Sequence, residues 1–280
     1  MSLSPILFGI LTMVAWGCAD FFAKKGVDKV GPYQTFFWNY VFSVVGYIVL
    51  FSLFPQKVVW SPNLLGLFLI GGIVTFFGYI FFYQGLQKGF VSIMSPIVAC
   101  NLLVVVGLSV IFLNEKVTNN HWLGIIVAMI GLVIVSWPKK FSAGIQKGIP
   151  HAFISLILWG LCIFIMGTIA KMIGWFSTAV FFRLATFALF IFMIPQYKKI
   201  LPFPKKAWKP ILFVAVLEMV GAMSFNKGAT LGLMSIVGPI ASLFPAVTLV
   251  LARVFLKEHL TPLQKGGIAT ILVGLVLLSV

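Results

Sequence analysis

Asp20, Arg183 and Glu218 each stand inside a run of otherwise apolar residues, in "WGCADFFAKKG", "FFRLATF" and "VAVLEMVGA". An ionised side chain is costly away from water, so in such a setting it marks a place where charge is held or moved. A carboxylate reads an ammonium group or carries a proton, and a guanidinium reads a carboxylate. Asp20 and Glu218 are the candidate proton carriers, and Arg183 and Glu218 the candidate substrate ligands. Trp16, Asn39, Tyr79, Tyr83, Asn101 and Trp159 add aromatic and amide groups, and an aromatic face can hold an ammonium head. Two plainer readings stand beside these: Arg183 and Glu218 as a buried ion pair, and Asp20 paired with Lys24 one helical turn later. The three cysteines, Cys18, Cys100 and Cys162, have no metal-ligand spacing, and the histidines form no triad with Ser or Asp. Neither enzyme activity nor a metal or cofactor is expected.

The elements that must position these residues are membrane helices. The chain is 61% hydrophobic and 9% charged, with mean hydropathy +1.13, where a soluble domain carries about a quarter charged residues. A net charge of +15 would suggest nucleic acid in a soluble protein. Here the lysines fall mostly between apolar runs, as topology signals do. Spans of about 20 apolar residues fit roughly at 4–23, 33–54, 63–87, 90–113, 119–137, 149–170, 175–195, 208–230, 233–256 and 262–279. Connectors 1–2, 5–6 and 7–8 hold most of the lysines, so by the positive-inside rule they face the cytoplasm and both termini lie outside the cell membrane. At a rise of about 1.5 Å per residue, Arg183 lies roughly 12 Å into span seven and Glu218 roughly 15 Å into span eight, entering from opposite faces. Both are expected near the midplane.

Sliding the chain against itself by 143 residues brings Gly78, Phe82, Gly85 and Gly89 onto Gly221, Phe225, Gly228 and Gly232. It also brings "FLNEKVT" (Phe112–Thr118) onto "FLKEHLT" (Phe255–Thr261) and "AWG" onto "LWG". Residues 1–137 and 149–280 read as two five-helix repeats joined by a connector at 138–148. Five is odd, so the second copy enters the membrane from the opposite face. The expected fold is an all-α integral membrane protein of ten helices in two inverted repeats, built around a midplane site. Pro96 and Pro239, and the junction glycines Gly89 and Gly232, are the candidate hinges. Each Pro either kinks a helix already begun or opens one. Thr118 and Thr261 read as helix N-caps. Glu115 and Glu258 read as solvated carboxylates at the membrane edge, with a gate at one mouth of a pathway as the sharper alternative.

The blocks "AWGCADFFAKKG" and "LWG", and the two Pro-to-E-x-x-T stretches followed by "GIIVAMIGLVIVS" and "GIATILVGLVLLS", resemble ten-span members of the drug/metabolite transporter superfamily, EamA type. The resemblance covers essentially the whole chain. It implies a secondary transporter of a small metabolite working by alternating access, with the lipid bilayer and the solute as partners. EamA halves often carry an Arg early in both second spans; here Arg183 in "FFRLATF" is set against Trp38 in "FFWNYVF". With Glu218, Asp20 and Arg183 as the charged groups, an amino acid or related zwitterion fits best, exported and coupled to protons, by a monomer. An organic cation such as choline or a polyamine is the alternative.

Overall fold

A computed structural model describes residues 3–88, 94, 97–135, 143–192, 201–256 and 262–279. They form eleven α-helices: α1 (Leu3–Val30), α2 (Pro32–Leu53), α3 (Pro62–Lys88), α4 (Asn101–Leu113), α5 (Asn119–Val135), α6 (Ala143–Ile173), α7 (Trp175–Ala188), α8 (Trp208–Leu231), α9 (Met234–Ser242), α10 (Phe244–Leu256) and α11 (Pro262–Ser279). No strand occurs among the described residues. Six spans, α9 and the start of α10 counting as one, are long and apolar enough to cross a bilayer; α4, α5, α7 and α11 are shorter apolar helices. The architecture is ten membrane helices in two inverted repeats.

Local chemistry explains the joints. α1 passes to α2 through Gly31 (φ 86°), and α6 to α7 through Gly174 (φ 85°). A left-handed residue suits Gly, which has no Cβ to clash. The two glycines are 143 positions apart, so the same tight turn is built twice. α4 ends on Asn114 (φ 51°), another residue type tolerant of that conformation. Thr118 Oγ1 accepts the His121 N–H at 3.3 Å, the N-cap expected for the fifth span. Pro239 lies inside α9, which has already begun at Met234, so it removes a helix hydrogen bond instead of opening the helix. Pro245 then lacks the N–H that would carry the helix through Leu243, and the ninth span breaks into α9 and α10. Gly232 closes the short α8–α9 junction, its N–H donating to Gly228 O at 3.0 Å. Pro96, Gly89, Thr261 and Glu258 lie outside the described residues.

Several helix ends differ from the sequence expectation. α1 runs on to Val30, past residue 23, because its polar last turns are tied by Lys24 Nζ to Asp28 Oδ1 at 2.7 Å and to Leu86 O at 3.1 Å. α6 begins at Ala143, within the stretch read as a connector, and carries Pro150 inside it without stopping. Span seven ends as a 3-10 turn, Leu189–Phe192, after α7.

Packing follows the repeat. α1 lies along α8 and α3 along α6, the same pairing made twice; α5 lies along its own repeat equivalent α11, and α4, in the fourth span, packs against α9, in the ninth. A Cβ on Gly221 would sit 2.5 Å from Trp16 Cδ1, and a Cβ on Gly78 2.6 Å from Trp159 Cδ1. Thr12 Oγ1 donates to Gly221 O at 3.3 Å, as Ser155 Oγ does to Gly78 O at 3.4 Å. Each glycine thus lets a Trp from the other repeat rest on its helix backbone. These crossed contacts close the interior around one central space.

Candidate functional site

The central cavity measures about 80 Å³, counted as the space open to the centres of water-sized molecules. One water needs about 10–15 Å³ on that measure, so several fit. Twelve of its lining residues are six repeat pairs: Trp16 with Trp159, Ala19 with Cys162, Asp20 with Ile163, Tyr40 with Arg183, Thr75 with Glu218, and Tyr79 with Ala222. The cavity therefore sits where the two halves face each other. Only the Trp pair keeps the same side chain. In three of the others, one partner is an Asp, Arg or Glu and its equivalent is a residue type without a formal charge.

Arg183 and Glu218 meet there. Arg183 Nη2 donates to Glu218 Oε2 at 2.7 Å, and both residues are more than nine-tenths buried. Asn39 Nδ2 donates to the same oxygen at 2.9 Å and lies 3.4 Å from the Tyr83 hydroxyl. The guanidinium stacks over the Tyr40 ring, 4.1 Å from its centroid, held there by ring quadrupole and charge. The pair is unevenly used. Both hydrogen bonds to the carboxylate, from Arg183 Nη2 and Asn39 Nδ2, fall on Glu218 Oε2, while the guanidinium also reaches the Tyr40 side chain; both charged residues line the cavity. One oxygen and one nitrogen hold the pair together.

The structure brings Trp16, Asp20, Tyr79, Trp159, Arg183 and Glu218 to the cavity wall. Asn39 stands one bond behind, and Tyr83 behind Asn39. Asn101 is elsewhere: its Oδ1 accepts from Ser242 Oγ at 2.7 Å, in the packing of α4 against α9. Lys24 is bound to Asp28, and Asp20 is 5% exposed at the cavity. Tyr40, Tyr47, Thr75 and Cys162 also line the site and were missed. For Tyr40 the signal was present, because the repeat register pairs Arg183 with Tyr40 and not with Trp38. Matching "FFR" to "FFW" runs two residues out of step with the Gly31 and Gly174 turns. Trp38 faces outward, donating Nε1–H to Pro202 O at 3.1 Å.

Glu115 is not solvated. It is 8% exposed; Oε1 accepts from Lys171 Nζ at 2.9 Å and from the Met234 N–H at 3.1 Å, and Oε2 from the Ser235 N–H at 2.8 Å. The carboxylate caps α9 at its N-terminus, where the first N–H groups have no helical acceptor. Burial raises its pKa, but the Lys171 ammonium and these N–H groups outweigh that and hold it below the usual carboxylate range.

The EamA-like transporter family matches residues 3–137 and, a second time, 146–280. The chain belongs to that family. EamA-like proteins are membrane transporters, so a multi-pass membrane protein with a small-molecule substrate follows. A protein of Methanocaldococcus jannaschii, described as uncharacterized, is 28% identical over 133 residues, spanning 48% of this chain and 96% of its own. That relative is about one repeat long. A solved crystal structure at 16% identity overlays with a TM-score of 0.80, covering 99% of this chain and 96% of the other, and supports the fold alone.

Proposed function

We propose that this EamA-family transporter moves a small zwitterion, an amino acid or close relative, by exposing the central cavity to each membrane face in turn. The observation that carries the reading is the uneven Arg183–Glu218 pair. A guest ammonium fits Glu218 Oε1 and a guest carboxylate the remaining Arg183 N–H groups, so both ends of a zwitterion are read without leaving either buried charge alone. The aromatic walls, Trp16, Tyr40, Tyr79 and Trp159, suit an apolar side chain. Glu218 and Asp20 are the groups through which a proton would be coupled to export. The protein works in this reading as a monomer in the cell membrane, lysine-rich connectors inside and termini outside.

A second reading, an organic cation such as choline or a polyamine, is favoured by one feature. Two carboxylates, Asp20 and Glu218, and one guanidinium line the cavity, so its wall has more acidic than basic side chains. The test is thermal unfolding of the detergent-purified protein against amino acids, choline, polyamines and sugar phosphates. A ligand at 100 times its Kd adds about 2.7 kcal/mol to the native state. Stabilisation by amino acids supports the first reading, and by cations alone the second. The Glu218→Gln variant stays folded, because an amide oxygen still accepts from Arg183, and loses pH-linked flux of the stabilising ligand. Unaltered pH-linked flux would sink the proton role.

A further inference from the structure

Two more cavities open at the face that carries the α2–α3, α4–α5, α6–α7 and α8–α9 connectors. One, about 520 Å³ on the measure used above, is lined by Leu50, Phe54, Trp175, Ser177 and Met223 among others. The other, about 290 Å³, is lined by Phe8, Trp175, Met223 and Lys227 among others. Trp175 and Met223 belong to both. The helices that line the larger one also line the central cavity about one turn deeper. Outward the order is Tyr47, then Leu50 and Phe54 along α2 and its C-terminal cap; Ala179, then Phe176 on α7; and Glu218, then Met223 on α8. A helix turn is about 5.4 Å, so little separates the two spaces.

What separates them is a small cluster of Tyr47, Ala179, Val180 and Met219. Met219 rests its Sδ and Cε against α2, where Gly46 makes room; a Cβ there would be 2.9 Å from either atom. The Tyr47 hydroxyl reaches Met219 O only at 3.5 Å. A flexible thioether adapts its shape at low cost, and the phenol beside it is held by one long hydrogen bond.

The opposite, lysine-rich face is built differently at the equivalent place. Phe36, Tyr40, Phe76, Tyr79, Tyr83 and Phe190 fill it as one aromatic block, with Phe36 and Phe190 centroids 4.7 Å apart and Phe76 and Phe190 5.0 Å apart. Pro202 O accepts from Gln34 Nε2 at 2.8 Å and from Trp38 Nε1, and Phe203 packs on Trp38, so the connector before α8 covers the start of α2. The Gly31–Pro32–Tyr33 turn at that face is the repeat equivalent of Gly174–Trp175–Phe176. One copy of the turn is covered, and the other borders the open vestibule.

We propose that the solute passes between the central cavity and the lysine-poor face through the gap between α2, α7 and α8, with Tyr47 and Met219 as the gate and the Trp175 turn as an outer binding vestibule. The proposal rests on the transport reading and adds the route. Lys227, whose Nζ stands 5.6 Å from the Trp175 ring centre, gives the vestibule a cation for the carboxylate end of a zwitterion, and Trp175 and Met223 give it apolar walls. Glu115 closes another part of the same face, tying the α4–α5 connector to α6 and α9, so it stands off this route as a fastening.

The experiment uses native Cys162, at the central cavity wall, as the reporter in a Cys18→Ser/Cys100→Ser protein held in lipid nanodiscs. The probe is a trimethylammonium methanethiosulfonate, and the rate of Cys162 modification is followed by mass. Tyr47→Ala and, separately, Met219→Ala are expected to raise the rate severalfold, Ser177→Trp to lower it severalfold, and Phe190→Ala at the other face to leave it unchanged. Two gate variants guard against one that misfolds, and only monodisperse protein is scored. Acceleration by Phe190→Ala with none from the gate variants overturns the route, as does a rate indifferent to all four, or no reaction in either gate variant. Failure of the transport reading shows elsewhere, as a ligand panel in which nothing stabilises the protein while this labelling pattern persists.

Discussion

Trp16 on Gly221 and Trp159 on Gly78 are one contact made twice, in opposite directions across the membrane. Tyr40 and Arg183 are one position filled twice with different chemistry, and so are Thr75 with Glu218 and Asp20 with Ile163. The first repeat gives the cavity aromatic surface, a hydroxyl and one carboxylate; the second gives it a guanidinium and the other carboxylate. Packing is shared between the halves, and charge is divided between them. The division has a physical reason. Two copies of Arg183 or of Glu218 at related positions would put like charges together at low dielectric, with no partner for either. A repeat that duplicates its packing can still serve one asymmetric solute, provided the charged groups are placed only once.

The sharpest way to break that division is to remove one member of the pair. Arg183→Leu leaves Glu218 buried with only Asn39 to answer it, and losing one partner of a buried pair costs about 3–5 kcal/mol. A large fall in unfolding temperature is the expected outcome. Arg183→Leu with Glu218→Leu should recover most of the stability and bind none of the panel's ligands. A single variant as stable as the parent would mean that the two charges are not paired in the folded protein. Tyr40→Phe, which keeps the ring under the guanidinium, should cost far less than either.

The shared packing is tested by matched substitutions. Gly78→Ala and Gly221→Ala each put a methyl group where a Trp ring now lies, within 2.6 Å of its Cδ1. Overpacking of this kind costs about 1–3 kcal/mol. The two variants should fall by similar amounts in thermal unfolding. A large loss at one glycine and none at the other would show that the crossed contacts are alike in shape but not in strength.

How far this molecule could be read from its sequence differs between the same two levels. The ten spans and the inversion follow from run length and an odd helix count, and the meeting of Arg183 with Glu218 agrees with the similar depths that a fixed rise per residue gives them. The pairing of Arg183 with Glu218 was legible as one of two readings, because two opposite charges at one depth in lipid have few other partners. Tyr40 was missed because a local match of "FF" outweighed the register set by the turn glycines. Asn101 was misplaced because helix rotation decides whether a polar residue faces the cavity or a neighbouring helix, and a span apolar on all sides gives little sign of its rotation. Glu115 was misread because its partners, Lys171 and the α9 N–H groups, are distant in sequence. A carboxylate at a membrane edge looks solvated until the fold shows what lies over it.

Glu115 also sharpens the comparison of the halves, with the smallest effect. Its repeat equivalent is Glu258, but the equivalent of Lys171 is Asp28, which is bound to Lys24 at 2.7 Å. The Lys171 part of the clamp therefore has no counterpart at the matching position of the other repeat, where an acid stands instead of a base. Glu115→Gln keeps an oxygen for the α9 N–H groups and loses the charge. Helix caps are worth about 1 kcal/mol, and because Lys171 is 35% exposed, solvent screening trims the ionic part. About 1 kcal/mol of lost stability at neutral pH is therefore expected. The folded-state pKa of Glu115 lies below its unfolded value. Its contribution is thus fully present above the ordinary carboxylate pKa and is lost as pH falls through the folded one. Unfolding temperatures of parent and Glu115→Gln should differ at neutral pH and converge in acid, where the parent's carboxyl is protonated too. A gap that stays constant into acid would mean that shape, not charge, does the capping, and the two faces would then differ less than their sequences suggest.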